Sequence, residues 1–428
     1  MLIHYVTTNG IGNAWVANEL QQVQRAGIPF GLHALRKPDD TYHRSNWAVA
    51  IHRATRPIYP LPIFGVVASV LSAPFLFGGR FFRALWNALI AERETLRGRV
   101  AAIAHLFVAC HWARTQPRNS VAHIHAQWIH SSGTVAMYAA WLLDIPFSFT
   151  GHATDLFRDR VALKDKIHRA EFIICISTFH RDFYLKHGAR AEQLKIVYCG
   201  IDVDQFAPPD KTRQTRQDGV IRIRSSGRLV EKKGFEYLID ACKVLVERGV
   251  EFECLIGGSG PLEEALRSRV DQLGLQERVT ITGCPLKQEA IPEFMHTGTL
   301  YCLPCVWASD NDVDGLPQML MEAMACGLPA ISTRLVGIPD LIIHNETGLL
   351  VEPNQTAELA DAILQVGRDP QLSVRLAEAG RQHVIENFDL SNCLDPLIDA
   401  YRKRLGKLPQ SLRKPSTTSE LVLARDQT

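Results

Sequence analysis

Two stretches in the second half of the chain bring together residue types that can hold a phosphorylated, hydroxylated ligand. The first runs from Gly227 to Gly234 and carries Arg228, Lys232 and Lys233 between an apolar strand and a helix. Arg228 offers a planar fork and Lys233 a point charge, a pair suited to a diphosphate. The competing reading of the same cations is solvated surface charge. The second stretch runs from Asp310 to Pro329. Pro317 is placed for a first helical turn, and Gly327 with Pro329 marks an exit, so a short helix is predicted near 317–325. Asp314 lies just before it and Glu322 inside it, separated by seven residues. Carboxylates so placed could hold sugar hydroxyls on either side of a phosphate at the helix N-terminus.

The same stretch opens like a calcium-binding loop, with Asp310, Asp312, Asp314 and Gly315 in register. The bidentate acid of such a loop belongs at its twelfth position, which is Met321, and Glu322 comes one residue late. Pro317 also argues against calcium. Asp310 and Asp312 are expected to form a solvated loop rather than a metal site.

Other candidates are weaker. Gly10 and Gly12 follow the first apolar segment as in a dinucleotide-binding turn, but Trp15 stands where the third glycine belongs. Gly257, Gly258 and Gly260 would let a backbone or ligand approach closely. His123 and His125 point the same way if their segment is a strand, which makes a metal pair conceivable, but no third ligand follows at a recognisable spacing. His152 directly follows a predicted strand, where α/β proteins place ligands. Cys302 and Cys305 form a lone pair at CxxC spacing, expected on a buried strand. The ten cysteines are scattered, and Met1–Val6 reads as a strand rather than a signal peptide, so reduced thiols in a cytoplasmic protein are expected.

The elements that must position these groups alternate. Short apolar strands and amphipathic helices follow one another, the pattern of α/β layers with parallel sheets. The 428 residues, 46% hydrophobic and 21% charged, suit two or three packed domains and exclude a disordered chain or coiled coil. The net charge of +2 argues against a nucleic-acid partner. The pattern gives a first domain at 1–206, a polar linker at 207–219 and a second domain at 220–385. A helix follows at 386–406, and a tail at 407–428 is expected to be disordered.

One segment stands apart. From Tyr59 to Gly79 the chain carries no charge and ten large apolar residues, approaching the length of a membrane span. Pro60, Pro62, Pro74 and the Gly78–Gly79 pair are expected to break a continuous helix there. Arg80, Arg83, Arg93, Arg97 and Arg99 follow. The segment packs within its domain, docks with the basic stretch 80–99 on an anionic membrane surface, or spans the membrane outright.

Together these residues resemble the retaining, nucleotide-sugar-dependent glycosyltransferases of family 4. The resemblance is strongest from Ile223 to about Glu352, with His125, Thr150, Gly151, His152, Ser177, Gly200 and Asp202 supporting it in the first half. It implies the GT-B fold, two Rossmann-like domains with parallel sheets facing a central cleft, and a helix at 386–406 that returns to the first domain. It further implies that Arg228 and Lys233, helped by backbone near Gly12, hold the diphosphate of a UDP- or GDP-sugar. Glu322 would bind the ribose, Gly283 and Cys284 the base, and Gly315 and Leu316 the hexose, with His152 and Asp314 beside the reacting centre. Asp314 departs from the family's usual glutamate, which puts sugar preference in doubt, and Pro317 removes one backbone donor. No metal or other cofactor is expected. The implied activity is hexosyl transfer with retention to a glycan or lipid-linked acceptor, as in exopolysaccharide or lipopolysaccharide synthesis, by a protein that is cytoplasmic or peripheral on the membrane's inner face. The alternatives are an inactive nucleotide-sugar-binding subunit or sensor, and a sugar-nucleotide epimerase on the same fold.

Overall fold

The computed structural model describes residues 1–12, 14–38, 46–117, 120–157, 160–208 and 219–407. They form two compact units, Met1–Val197 with the chain from Leu394 onward, and Tyr198–Cys393.

The first unit is a seven-stranded parallel sheet in the order β3-β2-β1-β4-β5-β6-β7. Its strands are β1 (Leu2–Thr7), β2 (Phe30–Ala34), β3 (Arg56–Pro57), β4 (Val121–Gln127), β5 (Phe147–Thr150), β6 (Phe172–Cys175) and β7 (Leu194–Ile196). Every residue of β1, β4, β5 and β6 is buried, as a parallel sheet covered on both faces requires. Helices α1 (Ala14–Arg25), α2 (Asn46–Ala54), α3 (Ile63–Phe77), α4 (Gly79–Ile90), α5 (Leu96–Thr115), α6 (Ser131–Leu143), α7 (Ala153–Phe157), α8 (Leu163–Arg169) and α9 (Thr178–Lys186) connect the strands.

The second unit is a six-stranded parallel sheet in the order β10-β9-β8-β11-β12-β13. It comprises β8 (Ile221–Ser226), β9 (Phe252–Gly257), β10 (Val279–Ile281), β11 (Leu300–Leu303), β12 (Ala330–Thr333) and β13 (Leu349–Val351). Its helices are α10 (Phe235–Glu247), α11 (Glu263–Gln272), α12 (Ile291–His296), α13 (Gln318–Ala325), α14 (Ile338–Leu341), α15 (Thr356–Arg368) and α16 (Pro370–Asn387). The last helix, α17 (Asp395–Gly406), belongs to the first unit, where Tyr401 donates to the Tyr5 hydroxyl at 2.9 Å and Arg404 to Ala122 O at 3.2 Å.

The order of each sheet reverses beside its first strand, at β1/β4 and at β8/β11. Open α/β sheets bind ligands beyond the carboxyl ends of strands at such points.

Three sequence boundaries shift. The first unit ends at Val197 rather than 206, because 198–206 is tied into the second. Ile201 exchanges backbone bonds with Phe388 and Leu390, and Phe206 O accepts from Arg381. The chain rejoins the first unit at Leu394 rather than 386, since α16 runs unbroken to Asn387. Helix α3 also passes straight through Pro74, and the break comes only at Gly78, with φ of 56°. Proline forfeits a single bond, to Val70 O, while Ala73 and Phe77 stay packed in the core with Ala102 and Leu106 of α5. Most of the linker, 209–218, and the tail, 408–428, lie outside the described residues.

Candidate functional site

In the second unit, the predicted cations and acids come together where β8 and β11 end. Gly234 adopts φ of 66°, and a Cβ there would lie 1.9 Å from Pro304 O, so only glycine lets the 227–234 loop meet the 304–317 loop. Val306 N then donates to Lys232 O at 3.0 Å, and Ser309 donates through its backbone N and Oγ to the two carboxylate oxygens of Glu231, at 2.8 and 2.7 Å. From β12, Ser332 and Thr333 donate to Leu303 O and Cys305 O at 2.6 and 2.5 Å, fixing the start of the acidic loop.

This docking makes a compact ion cluster. Lys233 Nζ lies 2.5 Å from Asp314 Oδ2, and Lys232 Nζ lies 3.2 Å from Asp314 Oδ1 and 3.0 Å from Asp312 Oδ2. Burial acts to raise the Asp314 pKa, but Lys233 and Lys232 outweigh it and hold the carboxyl below its ordinary range. Lys233 shows the converse: burial works against its charge, yet Asp314 keeps its pKa raised. Asp312 is therefore not in the solvated loop expected from sequence, because its side chain is drawn against Lys232. Arg228 stays exposed at the loop's mouth.

Glu322 sits on α13 with Pro317 at the helix N-cap. It is buried, and Oε2 has no partner among the described residues. Burial pushes its pKa up to about 7, against a lowering pull from Lys233. A buried carboxylate with a bare oxygen is costly unless a ligand supplies donors. Gly315 O accepts from Gly337 N at 3.0 Å, tying the acidic loop to the loop after β12, and Leu316 is buried. Gly283 follows β10 with φ of 69°, and the Cys284 backbone is held by Thr282 Oγ1. Cys302 and Cys305 are buried, with thiol pKa values pushed up by burial, to about 12 for Cys305.

In the first unit, His152 follows β5 and is buried between Trp15, at 3.9 Å between ring centroids, and Trp128, at 4.7 Å. Trp128 has φ of 73°, a strained conformation for a bulky residue, and strain of this kind collects at functional sites. Asp155 Oδ2 accepts from Ile129 N at 2.9 Å and His152 N at 3.5 Å, holding the loops after β4 and β5 together. Beneath them the fully buried Lys166 donates to Ile129 O, to His130 O at 3.0 Å and to Val161 O at 2.5 Å. Burial lowers its pKa to about 7, with Asp155 and Glu94 opposing. Burial, with His180, also lowers the His152 pKa to about 3, so its ring is neutral. Among the described residues, His152 Nε2, His180 Nε2 and Tyr184 Oη have no hydrogen-bond partner. A Cβ at Gly151 would lie 2.2 Å from Tyr184 Oη.

Gly12 N donates to Asn9 O at 3.3 Å in the turn after β1. His123 and His125 do share a side of their strand, where both meet Ser148 Oγ, at 2.6 and 2.7 Å. Sequence reasoning did not assign Lys232, Asp312, Trp15, Trp128 or Lys166 to these clusters. The only signals for them were the lysine doublet, the spaced aspartates and a tryptophan standing in a glycine position.

Residues 13–205 match the family model described as Glycosyltransferase Family 4, and residues 208–383 the model described as Glycosyl transferases group 1. The alpha-D-kanosaminyltransferase of Streptomyces kanamyceticus is 33% identical over 400 residues, 90% of this chain and 97% of that protein. The amylovoran biosynthesis glycosyltransferase AmsK of Erwinia amylovora is 31% identical over 247 residues, 56% of this chain and 59% of its own length. The putative colanic acid biosynthesis glycosyltransferase WcaL of Escherichia coli is 35% identical over 223 residues, 52% and 54% respectively. The chain thus spans little more than half the length of these last two. Among solved structures, Anabaena Alr3699/HepE in complex with UDP and glucose aligns over 94% of this chain and all of that one, at 16% identity and a TM-score of 0.67. The lipopolysaccharide outer core galactosyltransferase WaaB aligns over 95% and 100%, at 16% identity and a TM-score of 0.63.

Proposed function

The chain belongs to glycosyltransferase family 4, with the two Rossmann-like units of the GT-B fold, and from this premise we propose that it moves a hexose from a nucleotide-diphosphate sugar to a glycan or lipid-linked acceptor. The observation that carries the reading is the cluster of Lys232, Lys233, Asp312 and Asp314 together with the buried Glu322, whose Oε2 has no partner among the described residues.

In this reading Arg228 and Lys233 take the diphosphate, exchanging part of the Lys233–Asp314 contact for phosphate oxygens. Glu322 Oε2 accepts from a ribose hydroxyl, and backbone at Gly283 and Cys284 meets the base. Asp314, with backbone at Gly315 and Leu316, meets the hexose. In the first unit, taken by itself, His152 Nε2 is free to meet a sugar hydroxyl, and the backbone near Gly12 is placed to meet a phosphate.

As the bond from sugar C1 to the leaving phosphate oxygen breaks, negative charge grows on that oxygen. Fixed cations stabilise this charge most in the transition state, where it lowers the barrier. The acceptor oxygen attacks C1 on the face the phosphate leaves, and its proton passes to the departing phosphate oxygen. Configuration is retained, and neither a protein nucleophile nor a metal ion is required.

The polysaccharide setting of AmsK and WcaL, the UDP bound by HepE and the GDP-mannose dependence named for a mycobacterial relative support an exopolysaccharide or lipopolysaccharide role with a UDP- or GDP-sugar. No helix of the described residues is long and apolar enough to cross a membrane. We place the enzyme at the inner face of the cytoplasmic membrane, as a peripheral protein meeting a lipid-linked acceptor.

A screen of UDP-, GDP- and ADP-sugars for thermal stabilisation and slow donor hydrolysis tests the proposal. One nucleotide class should stabilise the protein and its sugar should be released. Binding without any turnover, with acceptor lipids supplied, would instead make the chain a sensor or an inactive subunit.

A further inference from the structure

The segment 63–100 has two faces. Its inner face is finished: Ser69, Ala73 and Phe77 of α3 and Phe81, Ala84 and Ala88 of α4 are buried, most of the last five in small side chains that bring the helices close to α5. Ser69 Oγ meets Gly65 O at 2.6 Å and His111 Nδ1 at 3.1 Å. The outer face is apolar as well. Phe64 and Phe75 are each 90% exposed, Ile63 76%, Leu96 83% and Trp86 64%, with Val67, Leu71, Phe82 and Ile90 beside them. Phe64, Phe75 and Trp86 alone expose roughly 500 Å², already near the largest apolar patch of an ordinary monomer.

These side chains cannot fold back to bury themselves, because the helices are bolted down. Arg93, which the sequence assigned to a basic surface, is 1% exposed. Its guanidinium reaches Asp165 at 2.6 Å, Asn87 O and Asn87 Oδ1 at 3.0 Å, and Tyr138 Oη at 3.2 Å. Glu94 accepts from Ala162 N and Leu163 N, each at 3.0 Å. Arg99 holds Leu89 O at the end of α4, and Arg80 pairs with Asp144. Arg83 and Arg97 remain exposed, with no acidic partner among the described residues. No acid occurs between Tyr59 and Ala91.

We infer that the outer face of α3, α4 and the first turn of α5 is a docking surface for an anionic lipid bilayer. Both α3 and α4 turn their inner faces to α5, so their exposed stripes lie on one side, parallel to the interface. The aromatic and aliphatic side chains enter the acyl boundary, while Arg83 and Arg97 meet anionic headgroups. At about 22 Å, α3 is too short to span. A symmetric second copy fits the face poorly, because self-pairing would set its unpaired arginines together without an acid. The inference stands on this surface alone and needs no donor, so it can fail or succeed independently of the proposed transfer.

Flotation of the full chain on vesicles tests it, with phosphatidylcholine alone compared with phosphatidylcholine carrying roughly 30% phosphatidylglycerol. The wild type should float with the anionic vesicles. The Phe64→Ser/Phe75→Ser/Trp86→Ser variant, altered only at exposed positions, should lose at least tenfold in bound fraction while keeping its circular dichroism and melting temperature. Arg83→Glu/Arg97→Glu should weaken binding to anionic vesicles alone, and added salt should do the same. Equal flotation of wild type and triple variant overturns the inference, as does failure of the wild type to float with either vesicle. Sedimentation velocity showing a wild-type dimer that the triple variant loses, without vesicle binding, assigns the face to a second copy.

Discussion

The two units both bury polar groups in and around related sheets, but in opposite electrostatic states. In the first unit the buried groups are largely neutral. Burial pushes Glu19 up to about 7, where Tyr5 Oη at 3.0 Å and Gln127 Nε2 at 2.6 Å hold it, and pushes His4 and His152 down to about 3. In the second unit Lys233 and Asp314 stay charged at comparable depth, because each faces an opposite charge within 2.5 Å. The difference teaches what each site is ready to meet. A neutral, aromatic-walled pocket suits uncharged hydroxyls, whereas a cluster that already holds its cations in place suits a charged diphosphate and costs little reorganisation when charge develops.

The largest expected effect is on catalysis in the second unit. Lys233→Ala should reduce transfer about 100- to 1,000-fold with little change in melting temperature, since Lys232 still pairs with Asp314. Near-normal turnover in a donor assay would remove Lys233 from the diphosphate and with it the contrast between the units.

In the first unit, Lys166→Met should act on stability instead. It strips the donor from two buried carbonyls and one half-buried one and should cost roughly 2–4 kcal/mol in chemical denaturation, with transfer per folded molecule falling less than tenfold. A large loss of transfer at unchanged stability would show that Lys166 serves the chemistry rather than the loops after β4.

The smallest effect is the most diagnostic of pH. The folded chain keeps the Glu322 proton up to about pH 7, whereas an unfolded chain releases it near 4.5. Stability therefore falls as pH rises through this window, by about 3 kcal/mol at most. Glu322→Gln should be more stable than wild type at pH 8 and about equal at pH 4. Wild-type affinity for the best nucleotide of the screen should rise from pH 6 to 8, because ribose hydroxyls donate to the ionised carboxylate, and the variant should lose this rise. Parallel pH profiles in calorimetry would mean that Glu322 does not touch the ribose.

Much of this was legible beforehand. The alternation of strands and helices and the Pro317 helix start are local signals, set by backbone sterics and hydrophobic period. Arg228, Lys233, Asp314 and Glu322 could be singled out as candidates because loop chemistry around strand ends is also local. The break expected at Gly78–Gly79 is where α3 gives way to α4, but the one expected at Pro74 is absent, since sequence could not say that packing on α5 would carry a helix through that proline. The same limit hid the fate of Arg93, which reads as one of five surface arginines and is instead the bolt beneath them.

By itself, then, the sequence determined the two-unit α/β class, the order of the loops and the residue types available to meet a phosphate and a sugar. Only the tertiary structure decided which lysine meets which aspartate, which histidine is shut between tryptophans and which apolar face is left outward. Those choices depend on contacts between residues far apart in the chain, where burial and a partner's charge set whether a group is ionised, and no local spacing encodes either.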